Sequence, residues 1–334
     1  MTRFFKPLLT VFLLTIGLAC QAKSLPALYL FLGGDGVMTN QSKLNHPCVR
    51  GAQIIYSWKQ LEPRKGVYDF SKIETDLTWL NNSHKKLFIQ LQDRSFTPTV
   101  FNVPDYIRND PIYHGGVAKQ YDVPGEGKAV TIGWVARVWD PAVRERFQLL
   151  MQKLAAEFDG RIAGINLPET AVDFDEKKPP FGFTPDQYFA GELTNLEALR
   201  NAFHNSMVMQ YVNFFPGEWQ NDHHYMSRLF SYASQHQISL GGPDAVPDNP
   251  NQMKNSYPFF HAYQGELYTG IAIQEPDYTY RNPNTGKYYQ FSDFYDFTQH
   301  YLGADILFWN VQEPFFTDHL SPQLDNRHFI CSRD

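Results

Sequence analysis

The sequence predicts a single (β/α)8 barrel. Three observations carry this. Eight short apolar segments recur along the chain, amphipathic helical segments alternate with them, and no linker or low-complexity stretch divides the 334 residues. The strand candidates are Leu28–Leu32, Gly51–Tyr56, Lys86–Leu91, Ile162–Leu167, Met207–Asn213, Ile238–Gly241, Tyr268–Ile273 and Ile306–Asn310. Most are continuous apolar runs, as parallel strands covered on both faces require.

The intervening helices announce themselves by their starts. Ser71 and Glu74 have capping-box spacing ahead of Ile73, Leu77 and Leu80. Asp140-Pro141 supplies an N-cap and an N1 proline before Val143, Phe147, Leu150 and Leu154. Thr194 and Glu197 have the spacing of a second capping box, and Met226, Leu229, Phe230 and Ala233 form one apolar face. Ser292 opens a helix that stops at Gly303, a natural C′ residue. The alternative, an open doubly wound sheet, needs a phosphate-binding turn after the first strand. Gly33-Gly34-Asp35-Gly36 only approximates one.

Residues 1–22 read as a signal peptide. Arg3 and Lys6 precede an apolar run from Leu8 to Leu18 that ends in small residues. The expectation is export to the periplasm or beyond, with the barrel occupying 23–334. Leu18-Ala19-Cys20 resembles the end of a lipobox, with Gly17 where a leucine is usual; lipidation of Cys20 would tether the chain to a membrane. In an oxidising compartment Cys48 and Cys331 are either one disulfide or two buried thiols. A net charge of −6 argues against a nucleic-acid partner.

Two connections are long, from Arg94 to Asp140 and from Pro168 to Thr194. In this fold such loops build the functional face at the carboxyl ends of the strands. Two strands finish alike there: Gly164-Ile165-Asn166-Leu167-Pro168-Glu169 and Gly270-Ile271-Ala272-Ile273-Gln274-Glu275. Each carries a glutamate at the same distance from a glycine, which places two carboxyls on opposite sides of the barrel mouth. One protonated and one ionised carboxyl are what glycoside hydrolysis uses.

The stretch Tyr56-Ser57-Trp58-Lys59-Gln60-Leu61-Glu62-Pro63, followed by Lys65-Gly66-Val67-Tyr68-Asp69-Phe70-Ser71, resembles the retaining glycoside hydrolases of clan A, which include β-galactosidases and cellulases. The resemblance implies a (β/α)8 enzyme with Glu169 as acid/base, Glu275 as nucleophile and Trp309 as a sugar platform. One departure stands out: Pro168 occupies the position directly before the acid/base, where the clan has asparagine, and Asn166 lies three residues before Glu169. A sugar-binding barrel that no longer cleaves is therefore the second reading.

Other candidates for substrate contact are Trp58, Arg94, Tyr211, Asn213, Asp244 and Tyr278, all at or beyond strand ends, and Asn166. Gln312-Glu313-Pro314 echoes Gln274-Glu275-Pro276, which makes Glu313 either a sugar ligand or a competing nucleophile. No His-Glu-x-x-His, no Gly-x-Ser-x-Gly and no Walker loop occurs, so no metal or cofactor is expected. The expected partner is an oligosaccharide or polysaccharide.

Overall fold

The computed structural model describes residues 25–122 and 130–325. Eight parallel strands close into a barrel: β1 (Ala27–Phe31), β2 (Val49–Ser57), β3 (Lys86–Gln92), β7 (Gly164–Leu167), β8 (Met207–Tyr211), β9 (Ser239–Gly242), β10 (Thr269–Ile273) and β11 (Ile306–Asn310), which pairs back to β1. Each corresponds to one predicted strand, and the closed sheet rules out the doubly wound alternative. The long connection after β3 folds into its own antiparallel sheet of β4 (Arg94–Ser95), β5 (Val117–Asp122) and β6 (Val130–Ala136), in the order β4-β6-β5.

Alternation along the strands sorts side chains to two sides. Tyr29, Phe88, Met209, Tyr211, Ala272, Ile306 and Phe308 face inward and fill the barrel. Their neighbours face outward into a larger core beneath the helices. Inward glycines make room for these side chains. A Cβ on Gly164 would stand 2.6 Å from the Phe88 ring, and one on Gly270 would stand 2.6 Å from Met209 Cε. The two glycines that begin the matched strand endings are thus spacers in one barrel layer. Above them Gln53 Nε2 donates to Asn166 Oδ1 at 3.0 Å and to the Tyr211 hydroxyl at 2.7 Å, which turns the core polar below the mouth.

Some helix starts differ from expectation. Asp140 caps Pro141–Phe158 through Ala142 N at 2.9 Å, as predicted. The next helix begins earlier than the Thr194 box implies. It spans Pro185–Ala202, capped by Thr184, because a proline at N1 and a threonine before it form the stronger start. Thr194 lies inside it and donates to the Ala190 carbonyl. The helix Ser71–Asn82 carries no Ser71–Glu74 box; Asp69 Oδ1 accepts from Ser71 N instead. The helix opened near Ser292 spans Phe291–Asp296 and continues as a π turn to Tyr301 before Gly303, whose φ is +68°.

Cys48 is disulfide-bonded, and its sulfur lies 3.8 Å from the Leu324 carbonyl oxygen beside the last described helix. Cys331, Cys20 and the whole of residues 1–22, read above as a signal peptide, lie outside the described residues. Among those described, no helix is long and apolar enough to cross a membrane.

Candidate active site

Two cavities adjoin at the carboxyl ends of the barrel strands and share Phe31 and Gln274 as walls. The first, of about 270 Å³, contains Glu169 and Asp244 together with Gln92, Tyr211 and Phe96. The second, of about 410 Å³, contains Glu275 and Asp35 beside Asn310 and Gln312. The structure therefore brings Glu169 together with Asp244, and sets Glu275 in the neighbouring cavity.

Glu169 lies two residues past β7 and is held from several sides. Asn213 Nδ2 donates to its Oε2 at 2.5 Å, and Asn213 Oδ1 in turn accepts from Ala171 N at 3.1 Å and Phe214 N at 2.9 Å. Burial pushes the Glu169 carboxyl up to about 7, and Asp244 adds repulsion. Arg94 and the Asn213 bond pull in the opposite direction. Such a carboxyl holds a proton near neutrality and can donate it. The Asn213 amide stabilises the ionised form, so its loss raises the proton affinity of Glu169. Asn213→Ala is expected to move the alkaline limb of any Glu169-dependent pH profile upward, and carbon NMR of the labelled carboxyl would read the same shift.

Asp244 follows β9. Burial pushes its carboxyl up to about 6. Behind it, burial and the Asp244 charge hold Asp277 well above the usual carboxylate range, although Asp277 accepts from Gln274 N at 3.0 Å and Ala245 N at 3.2 Å. Arg94 is within electrostatic reach of Glu169 and is 1% exposed. Its guanidinium bonds to Asp93 at 3.2 Å, Glu192 at 3.3 Å and the Ala171 carbonyl at 3.2 Å. It acts on Glu169 through its charge and does not line the cavity.

Six predicted contacts line neither cavity: Arg94, and with it Trp309, Tyr278, Trp58, Glu313 and Asn166, each for a physical reason. Trp309 is 1% exposed because β11 alternation turns Phe308 and Asn310 inward and Trp309 outward. Its ring stacks on Phe291 at 4.7 Å, and its indole N–H donates to the Tyr278 hydroxyl at 2.7 Å. Tyr278 is consumed in that same pair and stacks on Phe315. Trp58 is fully buried in the short helix Trp58–Leu61, where its N–H donates to Glu62 Oε2 at 2.9 Å. Glu62 also accepts from Gly66 N at 2.8 Å and pairs with Arg146. The Trp58 to Ser71 motif is therefore a folding module that anchors the connection after β2.

Glu313 forms an exposed ion pair with Lys43 at 2.8 Å, which holds its carboxyl below the usual range. Asn166 lies inside the barrel below the cavity, bonded to Gln53 and to the Leu167 carbonyl. Tyr211 borders the first cavity, but its side chain is buried in the barrel interior and its hydroxyl accepts from Gln53. The sequence reading missed Gln274, Phe31 and Phe96 as walls and Asp277 as the buried acid. A period-two count from Ala272 would have turned Gln274 inward.

No group of His, Cys, Asp and Glu among the described residues is arranged to hold a metal ion. The closed parallel barrel, with its acidic cavities at the carboxyl ends of the strands, places the chain among the (β/α)8 proteins. Solved structures agree. The chain is similar to the catalytic domain of β-amylase from Paenibacillus polymyxa, with a TM-score of 0.54 and 9% identity over 87% of this chain and 93% of that one. It is similar to endo-glycoceramidase II from Rhodococcus sp., described as a lactosyl-enzyme intermediate, with a TM-score of 0.53 and 10% identity over 87% and 73% of the two chains. A psychrophilic glycoside hydrolase family 10 endo-β-1,4-xylanase gives 0.50 and 8% over 86% and 87%. At these identities the likeness is one of fold. No family model matches the sequence, and no curated protein matches it either.

Proposed function

We propose that the protein is an exported glycoside hydrolase that cleaves β-glycosidic bonds at the barrel mouth. The observation that carries this reading is Glu169: a strand-end glutamate in a cavity, with its carboxyl raised to about 7 by burial and bonded to Asn213. In this reading Glu169 protonates the leaving oxygen. Glu275, on the next-door wall past Gln274, attacks the anomeric carbon, and Glu169 then activates water for the second displacement. The clan A resemblance supports these roles. So does the fold shared with an amylase, a glycoceramidase and a xylanase, names that belong to enzymes of glycans and glycolipids.

The test is release of aryl alcohol from a panel of aryl β-glycosides, with proton NMR of the first sugar formed. Turnover that yields the β-anomer supports the double displacement. Turnover that yields the α-anomer would leave a glycosidase but remove Glu275 as nucleophile. One observation favours the second reading, a barrel that binds sugar without cleaving it: Glu275 lines a different cavity from Glu169. Sugar binding with no turnover across the panel would establish that reading.

A further inference from the structure

The loops at the carboxyl ends of the strands form a third hollow, opposite in charge to the first two. Glu169 and Asp244 line the first cavity and Glu275 and Asp35 the second, and no lysine, arginine or histidine joins them among the described residues. The third, of about 270 Å³, lies between the small antiparallel sheet and the chain that follows Glu169. Lys119 of β5, Arg137 just past β6 and Lys178 of the loop after β7 line it, against Asp175 as the one carboxylate among the described residues of its wall. In a chain of net charge −6 this is a local reversal. None of the three cations is ion-paired with a described residue.

Alternation along β5 produces the arrangement. Ala118 and Gln120 are buried, and Gln120 Nε2 donates to the Ser95 carbonyl at 2.6 Å. Lys119 and Tyr121 take the opposite face, and the ladder sets Lys119 across from Trp134. The Lys119 ammonium stands 5.6 Å from the centroid of that indole, whose N–H is held by the Pro98 carbonyl at 2.8 Å. Arg137 is half-buried and fixed. Its Nε donates to the Val117 carbonyl at 3.1 Å and its Nη1 to the His114 carbonyl at 2.6 Å, which leaves Nη2 without a described partner. The nearby Asp140 carboxylate is occupied by Ala142 N and the His114 ring, and Asp175 accepts from Lys177 N at 3.0 Å. A fixed guanidinium beside two exposed ammonium groups suits a carboxylate or a sulfate. The Trp134 and Tyr121 rings on the same wall suit the C–H side of a sugar.

We propose that this hollow is a remote subsite for an anionic sugar unit, a uronate or a sulfate ester, on the same glycan whose neutral unit occupies the acidic mouth. Two stretches of chain join the hollow to that mouth. Ser95 pairs with Trp134 on the wall of the hollow, and the next residue, Phe96, lines the first cavity. Phe174, also on the wall of the hollow, is five residues beyond Glu169, and Tyr121 N donates to the Asp173 carbonyl at 2.9 Å, so this stretch runs along the edge of the sheet. The division of charge then orients the glycan: carboxylates at the mouth repel its anionic unit, and the three cations retain it. The inference rests on the proposed function and deepens it by naming an acidic glycan as the substrate class.

The experiment is calorimetric titration of the whole chain with cellotriose, with cellotriose carrying a glucuronate in place of the glucose at either end, and with cellotriose bearing a 6-sulfate at either end. At least one anionic trisaccharide is expected to bind about fivefold or more tightly than cellotriose, and the tighter of uronate and sulfate identifies the anion. The overall negative charge of the chain works against such a preference, so it reads the local site. The preference should shrink between about 0.01 M and about 0.15 M salt, as the screening length falls from about 30 Å to about 8 Å. Binding should also move the indole N–H signal of Trp134, assigned by its loss in Trp134→Phe. Lys119→Gln combined with Lys178→Gln should bring the two affinities within about twofold of each other; both lysines are exposed, so the fold should persist. Arg137→Lys should weaken the anionic ligand too, with the melting transition as the check on the backbone it holds. Equal affinity for the anionic and neutral trisaccharides, a preference that survives the double lysine change, free sulfate or acetate that binds as tightly as the anionic trisaccharide, or binding of none of them overturns the inference. Turnover of neutral aryl glycosides with no preference for the anion would leave the glycosidase reading standing and sink only the subsite. Selective binding of the anionic trisaccharide without turnover would do the reverse.

Discussion

Replacement of Glu169 by Gln should cost about 10²- to 10⁴-fold in turnover of a glycoside with a poor leaving group, the range that positioned proton transfer supplies. The amide keeps the shape and the contact with Asn213 but has no proton to give. With a dinitrophenyl leaving group, which departs without protonation, the first step should be far less affected, and the glycosyl-enzyme should accumulate because water is no longer activated. A pre-steady-state burst of aryl alcohol followed by slow turnover is the signature, and equal losses on good and poor leaving groups would remove Glu169 from the acid role. A second readout needs no substrate. The folded-state carboxyl is raised to about 7, above its ordinary value, so the protonated form is the one the fold favours. Its contribution to stability is present at low pH and is lost as pH rises through that value. The wild type should therefore lose stability between pH 5 and 8 more steeply than Glu169→Gln. Asp244 and Glu192 are raised as well and persist in both proteins; because Asp244 repels Glu169, the difference reads Glu169 together with its coupling to Asp244.

The barrel was readable because each strand is an apolar run buried on both faces, and burial on both faces is a property of composition. Glu169 was readable for a related reason: a charged residue that closes such a run must meet either solvent or a partner. The tryptophans were misjudged because being at a strand end does not say which side a residue faces. On β11 the parity of Phe308 turns Trp309 into the helical layer, where a large ring finds Phe291 and Tyr278. Trp58 was misjudged for another reason. Within the motif around it, Glu62 accepts from Trp58 and Gly66 and pairs with Arg146, so the indole is used in holding a turn. Asp277 was hidden because its significance is relational: an aspartate becomes unusual only when Asp244 is found beside it.

Arg94→Met should destabilise the fold by about 3–5 kcal/mol, the usual cost of removing one member of a buried ion cluster. The methionine keeps most of the apolar stem, so the loss isolates the charge. Asp93 is 2% exposed and Glu192 6%, and both would be left without their counter-ion. Burial already pushes Glu192 up to about 7 while Arg94 pulls it down, so without Arg94 its proton would be held more tightly still. The deficit of the variant should accordingly be smallest in acid, where the stranded carboxyls are protonated, and should grow as pH rises. Urea unfolding midpoints at pH 5 and pH 8, at unchanged slope, measure it. A second change, Glu192→Gln in the Arg94→Met background, should recover part of the loss, because the pair is coupled through the same contact. A deficit independent of pH and unrelieved by Glu192→Gln would mean that the cluster stabilises by packing alone. The consequence reaches the site through two routes. Arg94 lowers the proton affinity of Glu169, and its bond to the Ala171 carbonyl pins the chain two residues beyond that glutamate, next to the Ala171 N–H that Asn213 accepts. A variant that folds at pH 5 should therefore show an alkaline limb moved upward, which ties this buried ion cluster to the proton held on Glu169.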